Sequence, residues 1–197
     1  YVLDCHIGAS GEIIASGDSG MMEFGKDTYA YVWTRDASLI AIALDEAGFT
    51  GLTESYFDFC REAIGPEGYF CHKYLPDRSV GSSWHAWVAD GKKRLAIQEE
   101  ETALPLFALW QHYGKTGDKT RLQELFGPLV KPAADFMCAY RSQATGLPLP
   151  SFDIWEQDFA ASAFGCAAVY AGLQAAAEIA TAVGDQSGSE RYGRAAE

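Results

Sequence analysis

Positive charge is scarce in this sequence of 197 residues, and the scarcity limits the kinds of partner. Lys and Arg number 15 against 27 Asp and Glu, a formal net charge of −12. A negative field of this size disfavours nucleic acid and anionic membrane surfaces. It favours a neutral or cationic ligand, although an acidic surface kept only for solubility is the commoner cause of such a charge. The charge therefore excludes partners without identifying one.

The cysteine pattern lacks the features of a disulfide framework or a zinc site. The five cysteines are odd in number and widely spaced, and no C-x-x-C or Cys/His ligand spacing occurs. The sequence therefore predicts buried or partly buried free thiols and no metal centre, and slightly favours a reducing, cytoplasmic compartment. It also lacks a signal-peptide pattern and an apolar run long enough to span a bilayer, so no membrane contact is predicted.

Helical periodicity dominates the sequence after residue 30, whereas residues 1–30 are strand-like or irregular. Five helices are predicted, and a sixth opens before the chain ends, at about 36–48, 52–64, 100–113, 120–141, 162–183 and from 189. Pro105 suits the first turn of the third helix if that helix begins near Thr102. The fourth is expected either to tolerate Gly127-Pro128 and Pro132 or to kink there. The pattern indicates helical hairpins around a ring, joined alternately by short turns and long aromatic loops.

Two segments place charged side chains where a helix is predicted to begin. The first, 29–36, ends in Arg35 and Asp36, whose five donors and carboxylate suit the neighbouring hydroxyls of one sugar ring. An ion-paired arginine beside a helix N-terminal acid explains the same two residues. The second segment, 98–102, carries three glutamates, which the helix dipole alone favours. A functional role there requires at least one glutamate to turn inward.

A third segment, 150–157, contains the sequence Trp155-Glu156 just ahead of an apolar helix. A carboxyl group against a tryptophan ring can be partly desolvated, and this environment suits a general acid for a glycosidic oxygen. Ser151 and Asp153, in the same segment, have a simpler interpretation as helix N-capping groups.

Six segments in order resemble the glucoamylase family of glycoside hydrolases, especially its bacterial branch, over nearly the whole chain. They are Gly-Glu-Ile-Ile-Ala at 11–15, Tyr-x-Tyr-x-Trp-x-Arg-Asp at 29–36, Gly-Tyr-Phe-x-His-Lys-Tyr at 68–74, Ser-Ser-Trp-His at 82–85, Ile-Gln-x-x-Glu-Thr-Ala-Leu at 97–104 and Pro-Ser-x-Asp-x-Trp-Glu at 150–156. Each segment alone is a weak match. Six in the right order with sensible spacing make a specific one.

The resemblance implies an all-α fold, the (α/α)6 barrel, of which residues 1–197 supply about half as one partial catalytic domain. Residues 1–30 form its strand-like first segment and residues 31–197 its first helical hairpins. The implied activity is that of an exo-acting, inverting α-glucosidase, which releases β-D-glucose from the non-reducing ends of α-glucans without a metal or cofactor. The family's catalytic base lies in the second half of the barrel, and no segment here matches it. That second half is thus an expected partner, and a fragment alone is expected not to hydrolyse substrate.

Residue roles follow from the same resemblance. Glu156 matches the general acid that protonates the leaving oxygen. Residues matching the substrate pocket are Trp33, Arg35, Asp36, Glu100 and Trp155, of which Glu100 stands where the family usually has an aspartate. Gln157 departs from the second acid of fungal relatives, so the subsite for the leaving group is not transferred.

Two kinds of alternative remain open. Glucodextranase, isomaltose-hydrolysing and trehalase-type activities share the same motifs, so α-1,4, α-1,6 and α,α-1,1 linkages are not separated. A protein of another class, a non-catalytic carbohydrate-binding or regulatory domain, fits a chain in which the base is not visible. Retention of Glu156, Arg35 and Asp36 argues against it, because a binding domain needs no acid at the scissile oxygen. A structural helical array is disfavoured, since no repeat of fixed period occurs.

Overall fold

The computed structural model describes residues 2–17 and 27–197, and most of the regular structure in those ranges is helical. The α-helices are α1 (Thr34–Glu46), α2 (Thr50–Ala63), α3 (Glu99–Thr116), α4 (Lys119–Leu125), α5 (Lys131–Ala139), α6 (Ala163–Val183) and α7 (Gln186–Ala196). A π-helical segment, Phe126–Val130, joins α4 to α5, so the two form one helix with an irregular centre at Gly127-Pro128. The predicted all-α class is confirmed.

The short strands of the described ranges lie in the connection between α2 and α3 and in the connection between α5 and α6. Strand β1 (Val88–Ala89) pairs antiparallel with β2 (Lys92–Lys93), and β3 (Ser151–Phe152) pairs antiparallel with β4 (Phe159–Ala160). The described part of residues 1–30 contains one turn of 3-10 helix and an isolated antiparallel bridge between Ile7 and Ile13. Residues 1 and 18–26 of that predicted segment lie outside the described ranges, and its boundary at residue 30 stays a prediction.

The helices form two layers of hairpins. Helix α1 packs against α3 and α3 packs against α6, which makes these three an inner layer, while α2, α4–α5 and α7 pack outside them. Connections from inner to outer helices are short, at 47–49, 117–118 and 184–185. Connections from outer to inner helices are long, at 64–98 and 140–162. The long loops therefore converge on the N-terminal ends of the inner helices.

Helix α6 approaches α3 closely, because it has a glycine where the two helices meet. A Cβ atom built on Gly172 would lie 2.7 Å from the carbonyl oxygen of Ala103. Ser162 caps the helix by accepting a hydrogen bond from Gly165 N, and Gly184 ends it with a φ of 93°. These features match the helix predicted at 162–183.

The prediction that the sequence has no apolar run long enough to span a bilayer was wrong for α6. In length and composition it is apolar enough to cross a bilayer, and it is the one such helix in the described ranges. Half of its most apolar window is buried inside the protein, where it packs against α3 and α7. A core helix that contacts neighbours on both sides has the same composition.

The position of Pro105 also differs from its prediction. Helix α3 begins at Glu99, so the proline lies in the second turn and not in the first. A proline inside a helix has no N–H for the carbonyl four residues earlier, which here belongs to Glu101. The Thr34 hydroxyl of α1 donates a hydrogen bond of 2.7 Å to that carbonyl oxygen. The contact between α1 and α3 therefore satisfies the group that Pro105 leaves without a partner.

The five cysteines all lie in the described ranges and are free thiols, as predicted. Cys60 is buried, and burial raises its pKa to about 12. Cys5 is exposed, contrary to the expectation that every thiol is at least partly buried.

Candidate active site

The long loops and the N-terminal ends of the inner helices enclose a cavity of about 480 Å³. Its walls come from Ala15, Tyr29, Trp33, Arg35, Asp36, Trp84, Ile154, Trp155 and Glu156. Aromatic rings dominate one wall, and two carboxylates and a guanidinium supply polar groups. An open, ring-lined cavity with a few convergent polar side chains is typical of a small-ligand site.

The structure brings the residues singled out in the sequence to this one place. Five of the six line the cavity. The sixth, Glu100, is buried behind the wall, where its Oε1 lies 3.3 Å from Arg35 Nη1. Trp155 is the most open of the lining side chains, with 80% of its surface exposed. The roles assigned to these residues by resemblance stay predictions.

Arg35 connects the start of α1 to the start of α3. Its Nη1 donates to Gln98 Oε1 at 2.7 Å and lies 3.1 Å from Glu101 Oε1, while its Nη2 lies 3.1 Å from Asp36 Oδ2. Burial lowers the pKa of Arg35, but the carboxylates of Glu101, Asp36 and Glu100 more than offset that effect. A charged guanidinium held in this way fixes the orientation of Asp36 at the cavity wall.

All three glutamates at the start of α3 are buried, whereas the sequence required only one of them to turn inward. Burial raises the pKa of Glu99 and of Glu101 to about 7, and it also raises that of Glu100. Glu101 Oε2 accepts a hydrogen bond of 2.7 Å from Arg35 N and lies 2.7 Å from Thr34 Oγ1. The helix dipole favours acids at this position but does not require their burial. Glu100 and Glu101 contact Arg35, whereas Glu99 accepts a hydrogen bond from Ser151 Oγ.

Glu156 lies in the loop between β3 and β4 and has an unusual backbone. Its φ is 58°, in the left-handed region that residues other than glycine seldom adopt, and its N–H donates to the Asp153 carbonyl at 2.9 Å. The Asp153 carboxylate accepts from Gln157 N and Asp158 N, so it caps this loop and not a helix. Backbone strain of this kind persists where the surroundings hold it in place, often at functional sites.

Two histidines meet the Glu156 carboxyl group, and the sequence did not single out either as a site residue. His72 Nε2 lies 2.9 Å from Glu156 Oε1, and His85 Nε2 lies 3.1 Å from Glu156 Oε2. Both occur within motifs of the resemblance, at 68–74 and 82–85. Only the folding of two separate loops brings them together.

A buried ammonium group lies behind the aromatic wall. Lys73 Nζ is 3.2 Å from the ring centroid of Trp84 and 4.8 Å from that of Tyr31, and it has no hydrogen bond to the described residues. Burial lowers the pKa of Lys73 to about 8, an effect that Glu156 and Asp27 partly offset. The cation stabilises the wall through the faces of its rings.

Asp27 fixes the same wall from the solvent side. It accepts hydrogen bonds from Ser82 Oγ, from Trp84 Nε1 at 2.7 Å and from the Tyr31 hydroxyl at 3.0 Å. These bonds, that from Ser82 first, lower the pKa of Asp27 to about 2. Trp84 is thereby held between Asp27 and Lys73, at the edge of the cavity.

The described residues contain no cluster of His, Cys, Asp and Glu that could hold a metal ion. The groups that face the cavity are instead a carboxyl group, an arginine–aspartate pair and flat rings. Together they can donate a proton, bind neighbouring hydroxyls and stack on an apolar ring face.

Comparison with known proteins gives one consistent family. The sequence pattern of the family described as Glycosyl hydrolases family 15 matches residues 88–197. An uncharacterised glycosyl hydrolase of Methanocaldococcus jannaschii is 31% identical over 170 residues, which cover 86% of this chain and 25% of that protein. Glucoamylase-1 of Schizophyllum commune is 27% identical over 188 residues, covering 91% of this chain and 31% of that protein. The chain thus spans between a quarter and a third of the length of these relatives.

The structural comparison agrees. A bacterial glucoamylase crystallised with acarbose superposes with a TM-score of 0.71 at 24% identity, over 95% of this chain and 24% of that one. At that identity the likeness concerns the fold. The predicted glucoamylase-type (α/α)6 barrel is confirmed, with this chain forming part of it.

Proposed function

Because this chain belongs to glycosyl hydrolases family 15, we propose that it forms the acid-bearing part of an exo-acting, inverting α-glucosidase. The substrate is an α-glucan or oligosaccharide, and the product is β-D-glucose released from the non-reducing end. An α-1,4 linkage is the first candidate, and α-1,6 and α,α-1,1 linkages are the alternatives that the experiment below separates.

One observation carries the proposal: the Glu156 carboxyl group lies on the wall of the same cavity as Arg35, Asp36 and Trp33. Its side chain is 17% exposed, so it is shielded from bulk water but accessible from the cavity. A general acid needs both conditions, since it must exchange its proton and also meet the substrate oxygen.

In the proposed reaction Glu156 donates its proton to the glycosidic oxygen as the bond from that oxygen to C1 breaks. A water molecule attacks C1 from the opposite face, so the new hydroxyl has the β configuration. Activation of this water requires a second carboxylate, roughly 6.5–9.5 Å from the first in inverting enzymes. By resemblance this base comes from the second half of the barrel.

Substrate binding is assigned to the arginine–aspartate pair and the rings. Arg35 and Asp36 present donors and a carboxylate to adjacent hydroxyls of the terminal glucose, in bonds that involve charged groups and are therefore strong. Trp33 and Trp155 offer flat apolar faces to the sugar ring. Acarbose, the ligand crystallised with the bacterial glucoamylase, is a suitable binding probe.

The test follows glucose release by proton NMR with maltose, isomaltose and trehalose, each in buffer and in buffer with azide. Azide can attack C1 without a base, forming a C1–N bond while the Glu156 proton goes to the departing sugar oxygen. If the protein contains a base, we expect β-glucose as the product. If it lacks one, we expect β-glucosyl azide, formed in the azide buffer alone. The substrate that reacts identifies the linkage.

Two results would overturn the proposal. A product of α configuration would exclude inversion. Failure of every substrate in both buffers would exclude a working acid site. Acarbose binding together with such a failure would instead favour the non-catalytic carbohydrate-binding domain. A Glu156→Gln variant should lose both products. Glu190→Gln is its matched control, because Glu190 is exposed on α7, which does not line the cavity.

A further inference from the structure

We propose that His72 and His85 are positioning residues for Glu156. His85 Nε2 accepts the carboxyl proton, while His72 Nε2, whose lone pair already accepts from Trp33 Nε1, offers the other oxygen no donor, so both rings favour the protonated form that a general acid requires. The inference rests on the proposed function for its catalytic meaning. Its physical content, which is the location of one proton, can be tested without any turnover.

The contacts are close on both sides of the carboxyl group. Glu156 Oε1 lies 2.9 Å from His72 Nε2, and Glu156 Oε2 lies 3.1 Å from His85 Nε2. The two imidazoles come from different parts of the loop between α2 and α3, whereas Glu156 comes from the loop before α6. Each oxygen of the carboxyl group therefore faces one imidazole nitrogen.

The hydrogen bonds of each ring indicate which nitrogen carries the proton. Trp33 Nε1 donates to His72 Nε2 at 3.1 Å, so this nitrogen presents a lone pair and not an N–H. His85 Nδ1 lies 2.9 Å from the Ala86 carbonyl oxygen, which can only accept. The proton of a neutral His85 is therefore on Nδ1, and its Nε2 also presents a lone pair.

Two lone pairs beside a carboxyl group favour its protonated form. An ionised Glu156 would place negative oxygens against both nitrogens without a proton between them. A protonated Glu156 can donate its proton to His85 Nε2, because the His72 Nε2 lone pair already accepts from Trp33 Nε1. His85 Nε2 has no other hydrogen-bond partner in the described part of the chain, so it is free to accept this proton. His85 Nε2 is a buried hydrogen-bond acceptor, and a protonated Glu156 supplies the donor.

Other charged groups around Glu156 act in both directions. Lys73 interacts favourably with an ionised Glu156 and so opposes the imidazoles. Arg35 and Asp36 line the same cavity with opposite charges, and Asp153 lies in the same loop. Burial, followed by the positive charges of Lys73 and Arg35, lowers the pKa of His72 to about 3. His72 therefore stays neutral and keeps its lone pair over the working pH range.

Nuclear magnetic resonance on the unsubstituted chain provides the first test. The chain has four histidines, so ¹⁵N-labelled imidazoles can be assigned by single substitutions. We expect His72 and His85 to carry their proton on Nδ1 at neutral pH. A proton on Nε2 of either ring would overturn the proposal, because such a ring would donate to Glu156 and stabilise its ionised form.

The second test is the His85→Phe variant, read through the ¹³C resonance of the Glu156 carboxyl group across pH. Phenylalanine keeps the ring contacts to Trp87 and Phe152, whose centroids lie 4.3 and 4.7 Å from that of His85, but it removes the acceptor. We expect the carboxyl group to lose its proton at a pH lower by roughly half to one unit, the equivalent of one hydrogen bond. An unchanged or higher midpoint would overturn the proposal.

The control is His6→Gln, since His6 lies in the first segment, away from the cavity walls, and contacts the Val2 carbonyl. It should leave the Glu156 midpoint unchanged. If the variant at His85 does not fold, the tautomers of the unsubstituted chain still decide the matter. Failure of the hydrolysis experiment with the predicted tautomers would reject the proposed function alone, whereas reversed tautomers with normal hydrolysis would reject this inference alone.

Discussion

Helices α1 and α3 bury charged side chains at both of their ends. The buried groups are paired at the C-terminal ends, whereas some of those at the N-terminal ends are unpaired within the described ranges. At the C-terminal ends, Asp45 Oδ2 lies 2.9 Å from His112 Nδ1, and Thr53 Oγ1 donates to Asp45 Oδ1 at 2.5 Å. All three side chains are buried. Each carboxylate oxygen has a partner, as expected of a polar cluster that holds helices together.

At the N-terminal ends several buried polar atoms lack a hydrogen bond within the described ranges. They include Lys73 Nζ, Glu99 Oε1 and His85 Nε2. Such atoms cost stability. The C-terminal end has one as well, Arg121 Nε near His112, so the two ends differ in degree. The difference between the ends separates polar groups that stabilise the fold from polar groups that the proposed reaction uses.

The largest predicted effect concerns the C-terminal end. Asp45→Ala removes the buried carboxylate that His112 and Thr53 contact, and only Thr53 keeps a backbone acceptor, the Thr50 carbonyl. We expect the free energy of unfolding to fall by about 3–5 kcal/mol, measured by urea denaturation. Acarbose affinity of the remaining folded protein should not change. A small stability loss combined with a loss of binding would contradict the division between the two ends.

The matching change at the other end of α1 is Asp36→Ala. Asp36 is 52% exposed, so its ion pair with Arg35 contributes little, and stability should change by less than about 1 kcal/mol. Acarbose affinity, measured by calorimetry, should fall about 10- to 100-fold, because a charged hydrogen bond to the sugar is lost. Unchanged affinity would remove Asp36 from the binding site.

The smallest of these effects is a dependence on pH. Burial raises the pKa of Glu99 from 4.5 to about 7, so the folded state binds more protons than the unfolded state between these values. Unfolding free energy should therefore fall as pH rises from about 4.5 to about 7. Glu99→Gln should reduce this loss by about 1–3 kcal/mol, measured by urea denaturation at pH 5 and pH 8.

The control for that experiment is Glu46→Gln at the C-terminal end of α1. Glu46 is exposed and pairs with Lys115 at 2.8 Å, so its substitution should leave the pH slope unchanged. If Glu99→Gln and Glu46→Gln gave the same slope as the unsubstituted chain, the buried glutamates would not account for it.

The sequence predicted α6 well, because both of its ends carry local chemistry. Ser162 and Gly184 bound α6 through a side-chain cap and a left-handed φ, and both depend on residue type alone. The third helix begins within one residue of its predicted start, but Pro105 lies in its second turn and not in its first. The Thr34 hydroxyl that contacts the Glu101 carbonyl belongs to another helix, so no local pattern contains this contact.

The candidate site was predicted in part for the same reason. Arg35, Asp36 and Glu156 stand at loop–helix junctions in recognisable motifs, so they could be named in advance. His72 and His85 occupy irregular loops, where no periodicity shows the direction of a side chain. The burial of all three glutamates at 99–101 was also not predicted, because the helix dipole favours acids at a helix start even when they are exposed.

The most direct test of the central claim compares two substrates that differ in their need for a proton, maltose and α-glucosyl fluoride, in azide buffer. Fluoride departs without a general acid, whereas the sugar alkoxide of maltose requires one. We predict that Glu156→Gln loses about 10²- to 10⁴-fold of its rate on maltose and keeps most of its rate on the fluoride. An equal loss on both substrates, or no loss on either, would contradict the assignment of Glu156 as the general acid.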